Sequence, residues 1–137
     1  MEKLMQLKDS VTLITGGAAG IGKATAQRFA EEGAVVIICD VNSEAGKATA
    51  EELGIKFYQV DITNRQAVQK WVEDVMKEHG QIDVLINNAG VLRDGQLVKW
   101  KNGEVVGRMS EEAFDLVISV NLKGVFNCTQ AVVPAMI

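Results

Sequence analysis

Glycines spaced through one short turn are the first residues whose spacing points to chemistry. Thr15 to Gly22 reads Thr-Gly-Gly-Ala-Ala-Gly-Ile-Gly, between the apolar run Val11-Thr12-Leu13-Ile14 and a helix-like stretch, Lys23 to Glu32. Glycine at 16, 20 and 22 lets the backbone turn tightly and approach a ligand with no Cβ in the way. A helix that starts in such a turn points free N–H groups and the positive end of its dipole into it. A diphosphate suits that place. A tight strand-to-helix turn that binds nothing has the same glycines, so the pattern alone does not decide.

Other polar residues follow apolar runs further along. Asp40 closes the run Ala34 to Cys39. A carboxylate there can accept hydrogen bonds from an adenosine ribose; the other reading is a solvated acid in a turn, or a helix cap. Asn42 or Ser43 can cap the next helix instead, which leaves Asp40 free for the ribose. Asp61 follows Ile55 to Val60, and either caps a turn or lies near an adenine edge. Asn87-Asn88-Ala89-Gly90 follows Ile82 to Ile86.

The elements that must position these residues alternate. Val11 to Ile14, Ala34 to Cys39, Ile55 to Val60 and Ile82 to Ile86 are short apolar runs, as expected of strands covered on both faces. Between them lie helices. Ile21, Ala24, Arg28 and Phe29 recur at helical spacing up to Gly33. Glu44 to Leu53 stops at Gly54. Ile62-Thr63-Asn64 leads into an amphipathic helix marked by Val68, Trp71, Val72, Val75 and Met76. His79 sits in its last turn, where a partial positive charge suits the dipole. Strands alternating with helices predict parallel βαβ units with right-handed crossovers. The carboxyl ends of the strands then share one edge, where open α/β sheets bind ligands. Gly16, Asp40, Asp61 and Asn88 all fall on that edge.

Gln96 to Arg108 breaks the alternation. Asn102-Gly103 between two apolar stretches predicts a hairpin with a two-residue turn. In that register Lys101 faces Glu104 and Trp100 faces Val105. A lone hairpin is marginal in water, so this one is expected to rest on the body of the protein or on a partner. A lid over a substrate cleft and a surface decoration are both compatible with it. Ser110 is the expected cap of a last helical region. Phe114, Val117, Ile118, Leu122, Val125 and Phe126 mark its stripe, and Pro134 is expected to kink or end it. Asn121 interrupts the stripe. It is either a buried amide bonded to the helix backbone or a group facing the ligand edge, where it holds a water or a side chain.

Size and charge narrow the function. At 137 residues the chain has the length of one domain, and 47% apolar residues mark it as globular. A net charge of −4 without a Lys/Arg cluster argues against nucleic-acid or anionic-membrane surfaces. Cys39 and Cys128 lie far apart in apolar runs and read as buried thiols of a reducing compartment. One histidine and no Cys-x-x-Cys argue against a metal site. Met1 to Ser10 lacks an apolar h-region, and Leu4 to Asp9 reads as a lead-in to the first strand. No apolar stretch approaches the ~20 residues of a membrane span. The expected location is the cytoplasm.

With these motifs in hand, the chain resembles the short-chain dehydrogenase/reductase family. Thr15-Gly16-x-x-x-Gly20-Ile21-Gly22 looks like that family's cofactor turn, and Asn87-Asn88-Ala89-Gly90 like its second signature. Val120-Asn121-Leu122-Lys123-Gly124 is similar to the stretch carrying its catalytic asparagine. Within the family, Arg93-Asp94 and Met109-Ser110-Glu111-Glu112 are similar to 3-oxoacyl-(acyl-carrier-protein) reductases. The resemblance implies a Rossmann-type doubly wound α/β sheet in the order 3-2-1-4, with the hairpin at 96–108 as an insertion. It implies hydride transfer between a nicotinamide and a small-molecule carbonyl or secondary alcohol. It places Gly16, Ala19, Gly20, Ile21 and Gly22 at the cofactor, Asp61 and Ile62 beside the adenine, and Asn88, Ala89 and Gly90 on the ribose side. Asp40 implies NAD rather than NADP, because a carboxylate there repels a 2′-phosphate. Asn121 is the implied catalytic residue. The family's tyrosine and lysine are spaced Tyr-x-x-x-Lys, whereas the one tyrosine here, Tyr58, is followed four positions on by Ile62. Residues 1–137 therefore read as a single, C-terminally incomplete NAD-binding domain, expected to be inactive alone. The open sheet edge, and a last helix that in relatives helps build a tetramer, imply a homo-oligomer. The alternative is a non-catalytic dinucleotide-binding or scaffold module that pairs with another chain.

Overall fold

A computed structural model describes residues 6–137. Leu4 and Met5 of the expected lead-in lie outside the described residues. Strands β1 (Val11–Thr15), β2 (Val35–Asp40), β3 (Lys56–Gln59) and β4 (Val84–Ile86) form one parallel sheet in the order β3-β2-β1-β4. Helices α1 (Gly20–Glu31), α2 (Ser43–Leu53) and α3 (Arg65–His79) are the crossovers. The chain ends in α4 (Glu111–Ile118), a π-helical turn (Ser119–Lys123) and α5 (Gly124–Met136).

The alternation of side chains along each strand builds two cores. On one face Leu13, Ile37 and Cys39 pack with Val68, Trp71 and Val75 of α3 and with Cys128 and Val132 of α5. On the other Ile14, Val36 and Ile38 pack with Ala26, Phe29 and Ala30 of α1 and with Leu53 of α2. This is why β1 and β2 read as continuous apolar runs: both faces are covered. The expected stripe of α3 holds, with Val68, Trp71, Val72 and Val75 buried. Both cysteines are free and buried.

Helices α2, α3 and α4 are each started by a side chain. Asn42 accepts from Ala45 N–H at 3.0 Å, Asn64 from Ala67 N–H at 3.1 Å and Ser110 from Ala113 N–H at 3.1 Å. Asn42, not Ser43, is the cap of α2. Ala19, at the start of α1, offers no side-chain cap, and α1 has no acid in its first turn.

Asp40 is the last residue of β2, paired with Gln59, at the end of the second strand as expected. Other expectations are corrected. The helix does not end at Pro134 but runs to Met136; the missing N–H falls in its last turn, where the loss is a single bond. The last helical region is not one α-helix, because the π turn interrupts it. Joined, Glu111–Met136 spans 26 residues and is long and apolar enough, by length and composition, to cross a membrane. Here α5 puts Cys128 and Val132 into the core it shares with α3.

The hairpin pairs β5 (Val98–Lys101) with β6 (Glu104–Arg108) in the expected register, Lys101 against Glu104 and Trp100 against Val105. Asn102 and Gly103 take φ of 52° and 85°, the left-handed pair that a two-residue turn requires. Val106 is the extra residue of a bulge, since Lys99 pairs with Gly107 and Trp100 with Val105. The hairpin does not rest on the body of the protein. Trp100 is 65% exposed, and Val98, Val105 and Val106 also face solvent.

Candidate functional site

The carboxyl ends of the four strands meet at one edge of the sheet, and a cleft of about 460 Å³ opens there. Gly16, Ala19, Gly20 and Ile21 line it from the glycine turn. Asp40, Asp61 and Ile62 line it from the ends of β2 and β3. Asn88, Ala89 and Gly90 close it beyond β4. The structure thus brings together nearly all the residues singled out in the sequence.

The turn is held from two sides, by the loop after β4 and by α2. Thr15, fully buried, accepts from Asn88 N–H at 3.1 Å and Ala89 N–H at 3.0 Å. Asn88 returns two bonds through its Nδ2, to the carbonyls of Thr15 and Gly16, each 3.1 Å. From α2, buried Thr49 donates to Ala18 O at 2.7 Å. Gly16 and Gly20 take φ of 66° and 56°. A methyl on Gly16 would meet Ala89 Cα at 2.9 Å, so that glycine is required by the wall behind it. A methyl on Gly20 would meet nothing within 4 Å, because that position faces open space.

Gly22 does not line the cleft. It is buried in α1, and a methyl there would overlap Gly16 O and come within 2.5 Å of Asn88 Nδ2. It lets the helix close against the turn.

Asp40 is not free, contrary to the expectation from sequence. Its Oδ2 accepts from Ala18 N–H at 3.2 Å and its Oδ1 from Asn42 N–H at 3.0 Å. Each oxygen keeps a further lone pair, and the two bonds fix the carboxylate at the cleft rim. Asp61 takes the turn-capping role: its Oδ1 accepts from Thr63 N–H at 2.9 Å and Thr63 Oγ1 at 2.7 Å. It still lines the cleft. No lysine or arginine lines it, so the attraction for an anion comes from the uncapped start of α1.

Asn121 stands outside the cleft, on the π turn. It is exposed, not buried, and its amide is spent on one residue. Oδ1 accepts from Val91 N–H at 2.8 Å and Nδ2 donates to Val91 O at 2.9 Å. Val91 itself lines the cleft.

The sequence reading missed Cys39, Val41, Val60, Val91 and Val120 as lining residues. Most adjoin a residue it did name, and the strand ends that carry Asp40, Asp61 and Gly90 carry them too. Burial, with Cys128 and Asp40 nearby, pushes the Cys39 thiol well above its ordinary range, so it is an inert wall.

The same chain segments that build this edge match a known family from end to end. Residues 10–137 fit the family model described as short chain dehydrogenase. The chain belongs to the short chain dehydrogenase family. It is 47% identical over 138 residues to the 3-oxoacyl-[acyl-carrier-protein] reductase of Thermotoga maritima, covering 97% of this chain and 52% of that protein. It is 44% identical over 133 residues to a (2S)-[(R)-hydroxy(phenyl)methyl]succinyl-CoA dehydrogenase subunit of Thauera aromatica, covering 93% and 50%. Among solved structures, the 3-ketoacyl-(acyl-carrier-protein) reductase of Brucella melitensis, complexed with NADH, superposes with a TM-score of 0.84 at 32% identity, covering 95% of this chain and 51% of that one. This short chain dehydrogenase chain spans about half the length of the relatives it matches.

Proposed function

We propose that the cleft binds NAD(H), and that the chain is the cofactor-binding part of a dehydrogenase moving hydride between a nicotinamide and a carbonyl or secondary alcohol of the 3-oxoacyl kind. One observation carries this reading: α1 has no side-chain cap, and its start opens onto a cleft rimmed by a fixed carboxylate. The free N–H groups suit a diphosphate. Gly20, whose Cβ would project into open space, leaves room for one. Asp40 accepts the adenosine ribose hydroxyls on its spare lone pairs, and repels a 2′-phosphate that no cation in the cleft would neutralise. Asp61 and Ile62 flank the adenine, and Asn88 to Gly90 the nicotinamide ribose. The NADH-bound relative from Brucella melitensis supports the choice of cofactor.

The cofactor, when bound, supplies the hydride chemistry. This chain's residues bind and orient it. Asn121 is a positioning residue here: by holding both backbone groups of Val91 it fixes the wall that continues from Gly90. Proton transfer to a substrate oxygen needs a group the chain does not place there, since Tyr58 sits on β3, paired with Cys39. Calorimetric titration of the chain with NADH tests the reading. Saturable binding, stronger than for NADPH, is expected, with no turnover of a β-ketoester by the chain alone. Absence of NADH binding would overturn the cofactor assignment, and turnover would overturn the assignment of roles.

A further inference from the structure

Two threonines on neighbouring helices use their hydroxyls differently. Thr25 of α1 donates to Ile21 O at 2.8 Å, one turn back on its own helix. That is a common use of a threonine inside a helix. Thr49 of α2 has the same choice, with Ala45 one turn back, and does not take it. Its Oγ1 donates instead to Ala18 O at 2.7 Å, 31 positions away in the glycine turn. Thr49 is 2% exposed, so water does not compete for the bond. The helix that carries it is firmly seated. Gly46 lies against Phe57 of β3, and a methyl there would overlap the ring.

Ala18 is thereby held by both of its backbone groups. Thr49 holds its carbonyl, and Asp40 Oδ2 holds its N–H at 3.2 Å. The other oxygen of Asp40 accepts from Asn42 N–H at 3.0 Å, and Asn42 Oδ1 caps α2 through Ala45 N–H at 3.0 Å. Ala45 to Thr49 is about one helical turn. These bonds close a ring that runs from Asp40 to Ala18, Thr49, α2, Asn42 and back to Asp40. The ring ties the turn that suits a diphosphate to the carboxylate that suits a ribose. A planar trans peptide also sets its C=O and N–H on opposite sides. Holding Ala18 O therefore fixes the direction of Ala19 N–H, and Ala19 lines the cleft. Thr49 does this from behind, since it is not among the residues that wall the cleft.

We infer that Thr49 is a positioning residue for the cofactor, and that its hydroxyl sustains the preference for NADH over NADPH. This deepens the reading of the cleft as an NAD(H) site and rests on it. Asp40 tells the two cofactors apart only while its charge stays where a 2′-phosphate would fall. Asn42 fixes one of its oxygens; the other is fixed through Ala18, which moves with the turn. Without the Thr49 hydroxyl, Ala18 O loses its donor and the Ala18–Ala19 peptide is free to turn. The carboxylate then keeps a firm hold at one oxygen only. A carboxylate that can swing away grips the ribose less well and repels the phosphate less.

The test is calorimetric titration of the 137-residue chain and its variants with NADH and with NADPH. Thr49→Val keeps the shape of the side chain and removes the hydroxyl. It is expected to weaken NADH binding about tenfold, as for the loss of one hydrogen bond, and NADPH binding less, so that the preference for NADH shrinks. Thr49→Ser restores the donor and is expected to hold both affinities within about twofold of the parent. A role in stability alone would weaken both cofactors by one factor and leave the preference where it is; that result overturns the proposal. So does parent-like NADH binding in Thr49→Val, or a Thr49→Ser variant as weak as Thr49→Val. Should Thr49→Val not fold, Thr49→Ala removes the hydroxyl without setting a second methyl against Ala18 O, and the same outcomes are read from it. A parent chain that binds NADH no tighter than NADPH also overturns the inference, because there is then no discrimination to lose. A parent that binds neither refutes the cofactor reading itself, and the inference with it.

Discussion

Thr15 gives the sharpest test of how the site is held. Thr15→Val keeps the shape of a fully buried side chain and removes only its hydroxyl. That oxygen accepts from the N–H groups of Asn88 and Ala89, at 3.1 and 3.0 Å, and donates to Ile86 O at 3.4 Å. Valine leaves two donors without an acceptor. Each orphaned donor costs about 1–3 kcal/mol, and the lower end applies beside a cleft that water can reach. The sum is about 2–4 kcal/mol, offset by about 0.8 kcal/mol for the apolar group gained. The expected loss is about 1–3 kcal/mol, or on the order of 1 M in urea midpoint. Trp71, 1% exposed in the core, reports unfolding by fluorescence, while Trp100 is already 65% exposed. Thr15→Ser is the decisive control. It keeps the hydroxyl and loses a methyl, for a cost of about 1 kcal/mol. If the hydroxyl latches the loop after β4 to the glycine turn, valine is worse than serine. A valine variant as stable as the parent, or more stable than the serine variant, would refute the latch.

Three further outcomes follow from the same geometry. Asp40→Ala is expected to weaken NADH binding by about 10- to 100-fold, the value of hydrogen bonds to a charged group, in calorimetry. Asp40→Asn, which keeps one acceptor for Ala18 or Asn42, should weaken it less while holding thermal stability nearer the parent. The buried thiols predict a pH effect. Burial raises Cys128 from its ordinary value of 9.0 to about 11, and Cys39 is also raised well above that value. Above pH 9 the unfolded chain loses thiol protons that the folded chain keeps. Stability is thus fully present below pH 9 and falls between 9 and about 11, to be read from urea midpoints; both thiols should resist a disulfide reagent at pH 8 until unfolding. Finally, Phe114, Leu122 and Phe126 are 56%, 64% and 54% exposed on the last helical region. Light scattering should find an assembly that charged substitutions there disperse, and a monomer in the parent chain would count against it.

Features legible in the sequence are those that repeat or act locally. Strand alternation, the α3 stripe, the Asn-Gly turn and the polar residue after each strand all lie within a few positions of their cause. They place the elements and gather most of the cleft, while the sheet order comes from the family resemblance. Features that depend on pairs distant along the chain are not legible. Thr49 looks like an ordinary helix residue until Ala18 O is found 2.7 Å from it. Nothing near Gly17 announces that a methyl there would meet Ile38 at 2.5 Å. Elimination leaves Asp40 to the ribose, because Asn42 can cap α2. Asn42 does cap it, but its own N–H then turns back onto Asp40 Oδ1. The π turn is invisible for a different reason: a helical stripe read at 3.6 residues per turn absorbs one wide turn as a small phase drift.

That wide turn is what couples the last helical region to the cleft. Asn121 pairs with both backbone groups of Val91. Gly124, at the start of α5, leaves no room for a methyl, which would sit 2.5 Å from Ile62 Cδ1. Asn127, 2% exposed, donates to Ile62 O at 2.9 Å. Three successive levels of one helix therefore meet the loops after β3 and β4. α4 meanwhile must start at Ser110, directly after the hairpin whose base is closed by Met109 N–H on Leu97 O at 3.1 Å. One residue removed from a helix rotates all its later turns by about 100°. With a regular α-turn at 119–123, the contacts of α5 and the hairpin-root contacts of α4 would face in different directions. The extra residue reconciles them. The π turn thus fixes the loop that carries Val91 while α5 keeps its contacts with Ile62.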